Sequence, residues 1–286
     1  MTISESLAIQ ENFSDSEREI ADYILSQKEK ILEQSVHDIC DATFTSTSSV
    51  VRLCRKIGFS GYKEFKIRYA RELERRIESL DAVDPDFPFG PKDTVLDISQ
   101  KMNVLMINTL NSTYDILTRN SKSIKQAAEL ILHSNRISLI AMGDSYLKGQ
   151  LFQSNMMKIG KVVLMANVFG ENYSHIDLLE PSDCAIVISY SGDTKQVYDA
   201  AKVLKRRGVP LIVITANAES KCGKLSGILI DMPNKEEKWK KQATFFSQIA
   251  TEYILNVIYS CIYVMDYEKS TNMRHRSIQE YSDTRY

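Results

Sequence analysis

Apolar residues recur at helical spacing through the first eighty positions of the chain. The clearest stripe follows the spacing i, i+3, i+4 and i+7 and consists of Val50, Leu53, Cys54 and Ile57. This spacing predicts a helix that buries one face, with Ser46 as its N-cap and Gly58 as its C-cap. Shorter stripes before and after it predict further helices, so residues 1–80 are expected to form an all-α bundle.

From about residue 136 the pattern changes to short apolar runs that alternate with helical segments. The runs predict five strands, at residues 136–142, 162–165, 184–189, 211–215 and 228–231. Helices between successive strands build βαβ units with right-handed crossovers, so the strands are expected to form one parallel sheet flanked by helices. The predicted fold therefore has two domains, the all-α bundle and an α/β domain over residues 94–286.

Three segments outside this regular pattern carry their own predictions. Residues 81–93 are acidic and contain three prolines, which suits an extended spacer rather than a packed element. The helix over residues 244–264 is strongly apolar and aromatic, which fits either a subunit interface or a central core helix. Residues from about 270 are polar, and a mobile tail is expected there.

The composition is typical of a globular protein, with 43% hydrophobic and 26% charged residues in a chain of 286. No apolar run approaches the roughly 20 residues of a membrane helix, and the N-terminus lacks the basic and apolar regions of a signal peptide. A cytoplasmic protein without a membrane partner is expected. The five cysteines are scattered, without a C-x-x-C pair or histidines at ligand spacing, so the sequence predicts no metal and no cofactor.

A cluster of hydroxyl residues follows the third predicted strand and consists of Ser189, Ser191 and Thr194, with Gly192 between them. A strand, a tight turn and a helix N-terminus in this order favour an anion, because the first backbone N–H groups of a helix lack partners within the helix. Such a turn lies at the carboxyl end of the sheet, where ligands bind in open α/β folds. The alternative is that Thr194 is only an N-cap and the serines only form the turn.

The segment Ser189-Tyr190-Ser191-Gly192-Asp193-Thr194 resembles the phosphosugar-binding turn of sugar isomerase (SIS) domains. The resemblance implies that Ser189, Ser191 and Thr194 hold the phosphate of a sugar phosphate, with Tyr190 and Gly192 in the same turn. Gly143 and Ser145 follow the first predicted strand, at the place where SIS proteins have a Gly-x-Ser turn that also contacts the ligand.

Charge is distributed unevenly along the predicted bundle. Residues 1–49 carry three basic and ten acidic residues, whereas residues 50–76 carry nine basic and three acidic residues. Part of this basic segment forms the polar face of the helix capped by Ser46, a face that consists of Ser46, Thr47, Ser48, Ser49, Arg52, Arg55 and Lys56. Two short helices joined by a tight turn predict a helix-turn-helix, and its arginines can read guanine or bind phosphate. A solvated face on an ordinary helical hairpin would show the same pattern.

Residues 49–66, from Ser49-Val50-Val51-Arg52 to Glu64-Phe65-Lys66, resemble the N-terminal DNA-binding domain of the RpiR (MurR/RpiR) family of bacterial transcriptional regulators. That family joins such a domain to an SIS domain in this order. The resemblance implies a regulator of carbohydrate metabolism that binds double-stranded operator DNA and a sugar phosphate effector. Phe44-Thr45 stands where the family usually has Gly-Val, and because a bulky residue is strained at positive φ, a reshaped turn is expected.

Two other function classes remain open at this point. SIS folds also serve aldose–ketose phosphate isomerases, which need a general base, and Glu171 and His175 could supply one. A phosphosugar-binding protein without DNA binding is the third class, and the basic segment argues against it. We expect a regulator with no enzymatic activity, acting as a homodimer or homotetramer, whose effector and direction of regulation the sequence does not specify.

Overall fold

The computed structural model describes residues 2–81, 83–165, 176–237 and 239–282. The chain divides into two compact units, Met1–Val83 and Asp84–Tyr286. Each unit has a hydrophobic core of its own.

The first unit is built from five α-helices and a short 3-10 helix at Lys28–Leu32. The α-helices are α1 (Ile3–Ile9), α2 (Asp15–Gln27), α3 (Val36–Thr43), α4 (Thr47–Lys56) and α5 (Tyr62–Asp81). In α4, the predicted apolar stripe is confirmed, because Val50, Leu53 and Cys54 are buried while Ile57 forms the C-cap. Gly58 follows with φ +94°, the left-handed conformation expected after a helix end.

The turn between α3 and α4 is not reshaped, contrary to the prediction from Phe44-Thr45. Phe44 itself adopts the left-handed conformation, with φ 50° and ψ 37°, and its backbone N–H donates to Cys40 O. Its side chain is 96% exposed. The tight turn is therefore kept, and the bulky residue occupies it by pointing into solvent while its backbone carries the strain of positive φ.

Replacing Phe44 with glycine is expected to stabilise the first unit by about 1 kcal/mol, because glycine adopts this conformation without a Cβ penalty. Phe44→Ala removes the same exposed ring but keeps the Cβ, and no comparable gain is expected. Thermal unfolding of the three proteins followed by helical circular dichroism measures the difference. Equal stability of the glycine and alanine variants would show that the turn is unstrained.

The second unit contains a five-stranded sheet in the order β2-β1-β3-β4-β5, and every neighbouring pair is parallel. The strands are β1 (Ile137–Ile140), β2 (Val163–Leu164), β3 (Cys184–Ile188), β4 (Leu211–Thr215) and β5 (Ile228–Asp231). The helices are α6 (Val95–Arg119), α7 (Ser121–His133), α8 (Asp144–Met157), α9 (Lys195–Arg206), α10 (Phe245–Met265) and α11 (Tyr267–Ser282). The predicted α/β fold with a five-stranded parallel sheet flanked by helices is confirmed.

Helices cover both faces of this sheet, which explains why its strands read as continuous apolar runs. In β3, Ile186 and Ile188 pack into one core together with residues of α7, α8 and α10. Ala185 and Val187 point to the opposite face and pack against α9. All five residues of β3 are buried as a result.

The strand order creates a crevice between β1 and β3. From β1 the chain moves outward to β2, and it then crosses back to β3 on the other side of β1. The connections after β1 and β3 therefore leave the sheet in opposite directions, and this switch point is where open α/β sheets bind ligands. The turns that the sequence singles out, after residues 142 and 188, both follow these two strands.

Helix α10 is a core helix on one side. Ala250, Ile254 and Ile258 are buried in the core that the sheet shares with α7 and α8. On the opposite side Asn256 and Ser260 are exposed, and at the C-terminal end Val264 is 68% and Met265 38% exposed. The prediction of a core helix is thus correct for one face of α10, and the other face is not covered in the single chain. No helix within the described ranges is long and apolar enough to span a bilayer.

Two segments differ from the sequence predictions. The predicted extended spacer ends in a stretch, residues 84–93, that packs on the second unit: Asp86 accepts hydrogen bonds from the N–H groups of Glu237 and Gln242, and Phe89 contacts the Phe245 ring. The predicted mobile tail is helical, since α11 extends to Ser282. The first segment is held by contacts with residues far away along the chain, and the second forms a helix.

Candidate functional site

The turn after β3 brings its hydroxyl groups together. Ser189 Oγ lies 3.0 Å from Thr194 Oγ1 and accepts the Gly192 N–H at 3.1 Å. Ser191 Oγ accepts the Asp193 N–H at 3.3 Å. Ser189 is buried, whereas Ser191 and Thr194 are half-buried. The turn is therefore compact and presents two of its three hydroxyls towards solvent.

Gly192 is required by the shape of this turn. Its φ is +69°, and a Cβ at this position would lie 1.8 Å from Ser220 Oγ and 2.9 Å from Thr215 Oγ1. The glycine C=O also accepts the Cys222 N–H at 2.9 Å. The turn is thus packed directly against the segment that follows β4, and no side chain fits between them.

Helix α9 begins at the end of the turn with its N-terminus unprotected by a side-chain cap. Thr194 is the N-cap residue, but its hydroxyl makes no capping hydrogen bond and lies against Ser189 instead. The alternative that Thr194 is only an N-cap thus lacks the capping bond that it would predict, whereas both serines do form hydrogen bonds within the turn. A helix N-terminus favours an anion through its dipole and through N–H groups that have no acceptor within the helix.

The Gly143-Asp144-Ser145 turn lies next to this site across the switch point. Strand β1 pairs with β3 along its whole length, so both turns leave the same edge of the sheet from neighbouring strands, about 5 Å apart. Gly143 has φ +57° and is the N-cap residue of α8. Asp144 accepts a hydrogen bond from the Thr244 hydroxyl at the start of α10. Two helix N-termini, those of α8 and α9, thus begin at this edge.

Tyr190 has a structural role that its sequence position did not indicate. Its hydroxyl donates to Pro233 O at 3.1 Å and accepts the N–H groups of Lys235 and Glu236 at 2.8 and 2.9 Å. Burial raises the pKa of this phenol to about 12, against the opposing effect of the two N–H donors. The neutral phenol therefore forms its hydrogen bonds with the segment after β5, and Tyr190 holds that segment beside the turn.

The segment after β5 is also anchored by a buried carboxylate. The Glu236 side chain is fully buried and accepts hydrogen bonds from Lys241 Nζ at 2.6 Å and from Ser247 N and Oγ at 2.8 Å each. Lys241 Nζ in turn lies 5.6 Å from the centroid of the Tyr190 ring. Sequence reasoning missed both residues, because Lys241 and Ser247 lie five and eleven positions from Glu236, outside the three- and four-residue spacing of helix patterns.

The two candidate bases, Glu171 and His175, lie outside the described residues. Within the described part of the chain, no group of three His, Cys, Asp or Glu residues is placed to hold a metal ion. The groups that the structure gathers at the switch point are hydroxyls and backbone N–H groups. Such groups bind anions without a metal.

The polar face of α4 is exposed except at Ser49. Ser46 Oγ accepts the Ser49 N–H at 3.2 Å and also lies within hydrogen-bond distance of the Ser48 and Ser49 hydroxyls. Ser49 is only 9% exposed, whereas Thr47 and Ser48 are exposed. Arg55 is exposed as well, and its Nε donates to Ser60 O at 3.4 Å. Six of the seven predicted DNA-contacting residues are thus exposed, namely Ser46, Thr47, Ser48, Arg52, Arg55 and Lys56.

Arg52 and Lys56 share a partner that sequence reasoning did not identify. Glu17 of α2 accepts Arg52 Nε at 3.1 Å and Lys56 Nζ at 2.7 Å, and it also accepts the Ser14 N–H at 2.8 Å. Burial would raise the pKa of this carboxyl, but the hydrogen bonds and charges of its partners lower it from 4.5 to about 2. The pattern Ser-x-x-Glu, typical of a capping box, was the one local sign of a role for Glu17.

Two protein-family models match separate parts of the chain. Residues 3–76 match the helix-turn-helix domain of the rpiR family, and residues 130–259 match the SIS domain. An uncharacterized HTH-type transcriptional regulator of Caldanaerobacter subterraneus is 28% identical over 87% of this chain and 85% of its own length. The HTH-type regulator YbbH of Bacillus subtilis is 25% identical over 90% and 88%.

Solved structures agree with this domain arrangement at the level of the fold. The Vibrio vulnificus NanR protein, solved in complex with ManNAc-6P, has a TM-score of 0.60 and 23% identity, with 98% of each chain covered. The sugar isomerase domain of an RpiR transcription factor from Sphaerobacter thermophilus has a TM-score of 0.54 and 15% identity, and covers 61% of this chain and 96% of its own. With an rpiR-family helix-turn-helix domain followed by a SIS domain, the chain belongs to the RpiR family of helix-turn-helix transcriptional regulators.

Proposed function

We propose that this regulator senses a sugar phosphate at the β1–β3 switch point and binds operator DNA through α4. The phosphate lies against the N-terminus of α9, where it accepts hydrogen bonds from Ser191, Thr194 and the first N–H groups of the helix. Ser189 stabilises the turn through its hydrogen bonds, and the Gly143–Ser145 turn contacts the sugar from the neighbouring strand. The regulator acts as a homodimer or homotetramer, which presents two α4 helices to a two-fold symmetric site.

The observation that carries this proposal is the uncapped N-terminus of α9 beside the clustered hydroxyls. A phosphate dianion there gains from the helix dipole and from several donors that have no better partner within the helix. A free sugar without phosphate has no negative charge for these groups. The site therefore favours phosphorylated over unphosphorylated sugars.

Residues 233–237 and 239–242 connect this site to the beginning of the second unit. Tyr190, within the phosphate turn, holds the N–H groups of Lys235 and Glu236. The next residue, Glu237, donates its N–H to Asp86 at 2.8 Å. A ligand that moves the turn thus moves the chain that leads to the DNA-binding unit, with a typical coupling free energy of about 1–3 kcal/mol that acts in both directions.

Isomerisation of a sugar phosphate is the second candidate function, because the SIS fold also occurs in enzymes. That reaction needs a base close to the sugar carbons, whereas the groups that support our proposal bind an anion. A fold shared with enzymes does not confer their chemistry. We therefore propose sensing without turnover, and a stabilising sugar phosphate incubated with the protein should be recovered unchanged.

A thermal-shift screen of the full chain against sugar phosphates, with the matching unphosphorylated sugars, tests the proposal directly. N-acetylmannosamine 6-phosphate belongs in the panel. A ligand at 100 times its dissociation constant stabilises the folded protein by about 2.7 kcal/mol, which shifts the melting temperature measurably. We expect a shift with a phosphorylated sugar and none with its parent sugar.

The matched variants are Ser191→Ala, which removes a hydroxyl of the phosphate turn, and Ser121→Ala, which removes an exposed hydroxyl at the start of α7. The first should lose most of the ligand-induced shift, and the second should keep it. A normal shift in Ser191→Ala would contradict the assignment of the phosphate to this turn.

A further inference from the structure

The recognition helix α4 is tied to α2 through a single buried carboxylate. Glu17 is 1% exposed, and its two oxygens accept from different cations of α4, Oε1 from Arg52 and Oε2 from Lys56. Burying an ionised carboxylate is costly unless it is paired and hydrogen-bonded, so this arrangement is a specific feature of the fold. Arg52 and Lys56 differ in the hydrogen-bond donors that their contacts with Glu17 leave available.

Lys56 is held within the protein by two hydrogen bonds and a cation–π contact. Its ammonium group donates to Glu17 Oε2 and to Asn12 O, and it lies 5.7 Å from the centroid of the Phe13 ring. An ammonium has three donors, and two of them have partners on the loop and helix that precede α4. Its charge is opposed by that of Glu17 at 2.7 Å. A DNA phosphate would have to displace these contacts to bind it.

Arg52 is engaged on one edge only. Its Nε donates to Glu17 Oε1 at 3.1 Å, and its side chain is 64% exposed. A guanidinium is planar and has five N–H donors, four of them on the terminal nitrogens. Anchoring Nε therefore restrains the orientation of the group and leaves the terminal fork outside the contact with Glu17. Bidentate contact with a guanine edge requires a fork that is held in this way.

We propose that Glu17 is a positioning residue for sequence recognition: it orients Arg52 as the base-reading fork and holds Lys56 as an internal tie that does not contact DNA. Arg55 then supplies a phosphate contact, since its exposed side chain makes one long hydrogen bond to a backbone oxygen. The roles of Arg52 and Lys56 are thus set by Glu17 on another helix. Glu17 itself contacts no DNA.

A change at Glu17 should affect sequence discrimination and sequence-independent DNA affinity in opposite directions. Removing the negative charge of Glu17 increases the electrostatic attraction of DNA, which acts on any sequence. It also frees the Arg52 fork to rotate, which weakens the discrimination between bases. A residue that only stabilised the fold would change binding to all sequences by the same factor.

The experiment uses the full-length protein and two duplexes, one that it enriches from a random-sequence pool and one with the same bases scrambled. Dissociation constants are measured at several salt concentrations for the natural protein and for Glu17→Gln. In Glu17→Gln we expect the ratio of the dissociation constants, scrambled duplex over enriched duplex, to fall roughly 10- to 100-fold, the range set by one bidentate contact. Binding to the scrambled duplex should be unchanged or tighter. Glu19→Gln, the same charge change on an exposed side chain of α2, should keep the natural ratio.

A double-mutant cycle identifies the residue through which Glu17 acts. Arg52→Lys keeps the charge but removes the fork, so it should lower the ratio by itself, and adding Glu17→Gln should lower it no further. Additive losses in the double variant would overturn the proposal, as would a natural ratio in Glu17→Gln. The thermal midpoint of each variant, followed by circular dichroism, ensures that only folded protein is compared.

The role of Lys56 provides a test that does not depend on the stability of a Glu17 variant. The slope of log affinity against log salt falls by about 1 for each phosphate contact that is removed. We expect Arg55→Gln to lower this slope and Lys56→Gln to leave it at the natural value. An equal decrease in both variants would show that Lys56 contacts phosphate and would refute the internal tie.

Discussion

Replacing Gly192 with alanine is expected to destabilise the second unit by about 2–4 kcal/mol and to abolish its response to a sugar phosphate. The residue has φ +69°, which costs an L-amino acid about 1–2 kcal/mol. The added Cβ would also lie 1.8 Å from Ser220 Oγ and 2.4 Å from Ser220 Cβ. Ser220 cannot simply turn away, because its hydroxyl donates to Asn217 O and accepts the Gly223 N–H, each contact being worth about 1 kcal/mol.

The loss of ligand response follows from the same displacement. Ser191 and Thr194 flank Gly192, so a change in the backbone at Gly192 moves the hydroxyls that the phosphate requires. Calorimetric unfolding of the full chain measures the stability, and a thermal-shift titration measures the response. Gly90→Ala is the matched control, since a Cβ at Gly90 meets no atom within 4 Å and its φ is not positive. A Gly192→Ala protein as stable as the control would contradict this account of the turn.

Replacing Glu236 with alanine is expected to cost the second unit about 3–5 kcal/mol. The carboxylate is fully buried, and its removal leaves Lys241 without its partner at 2.6 Å and the Ser247 N–H without its acceptor. Removing one member of a buried ion pair is more costly than a surface substitution, because the remaining charge has lost its solvent as well as its partner. Denaturant unfolding measures this loss.

The same substitution should also weaken the link between effector and DNA. Glu236 anchors the segment whose N–H groups bind Tyr190 on one side and Asp86 on the other. Without the anchor, a ligand at the turn is expected to change DNA affinity by a smaller factor than in the natural protein. Glu237→Ala is the control, because the exposed Glu237 side chain is lost while its N–H bond to Asp86 is retained. An unchanged coupling factor in folded Glu236→Ala would exclude this route.

The elements of the fold could be predicted from the sequence because their signals are local. A helix with one buried face repeats its apolar residues every three to four positions, as α4 does with Val50, Leu53 and Cys54. A strand buried on both faces is continuously apolar, as β3 is. The same local rules identified the hydroxyl turn at the end of β3, since a helix N-terminus after a strand has unpaired N–H groups whatever lies around it.

Local reasoning was less reliable where a residue adopts a conformation against its own preference. Phe44 was expected to reshape the turn before α4, yet it occupies the left-handed conformation in a tight turn. The helices on both sides are fixed by buried residues, Ile39 in α3 and Val50 in α4 among them. Their packing outweighs a strain of about 1 kcal/mol at a single residue.

By itself, the sequence determined the two domains' fold classes, the order of the elements, the polar face of α4 and the hydroxyl turn. The tertiary structure alone decided which partners those residues have. Glu17 meets Arg52 across 35 positions, and Asp86 meets Glu237 across 151. Tyr190 supports residues 43 to 46 positions away. The physical reason is that periodicity and capping depend on neighbours within about four residues, whereas the pairing of a buried polar group depends on which distant segment the folded core brings to it.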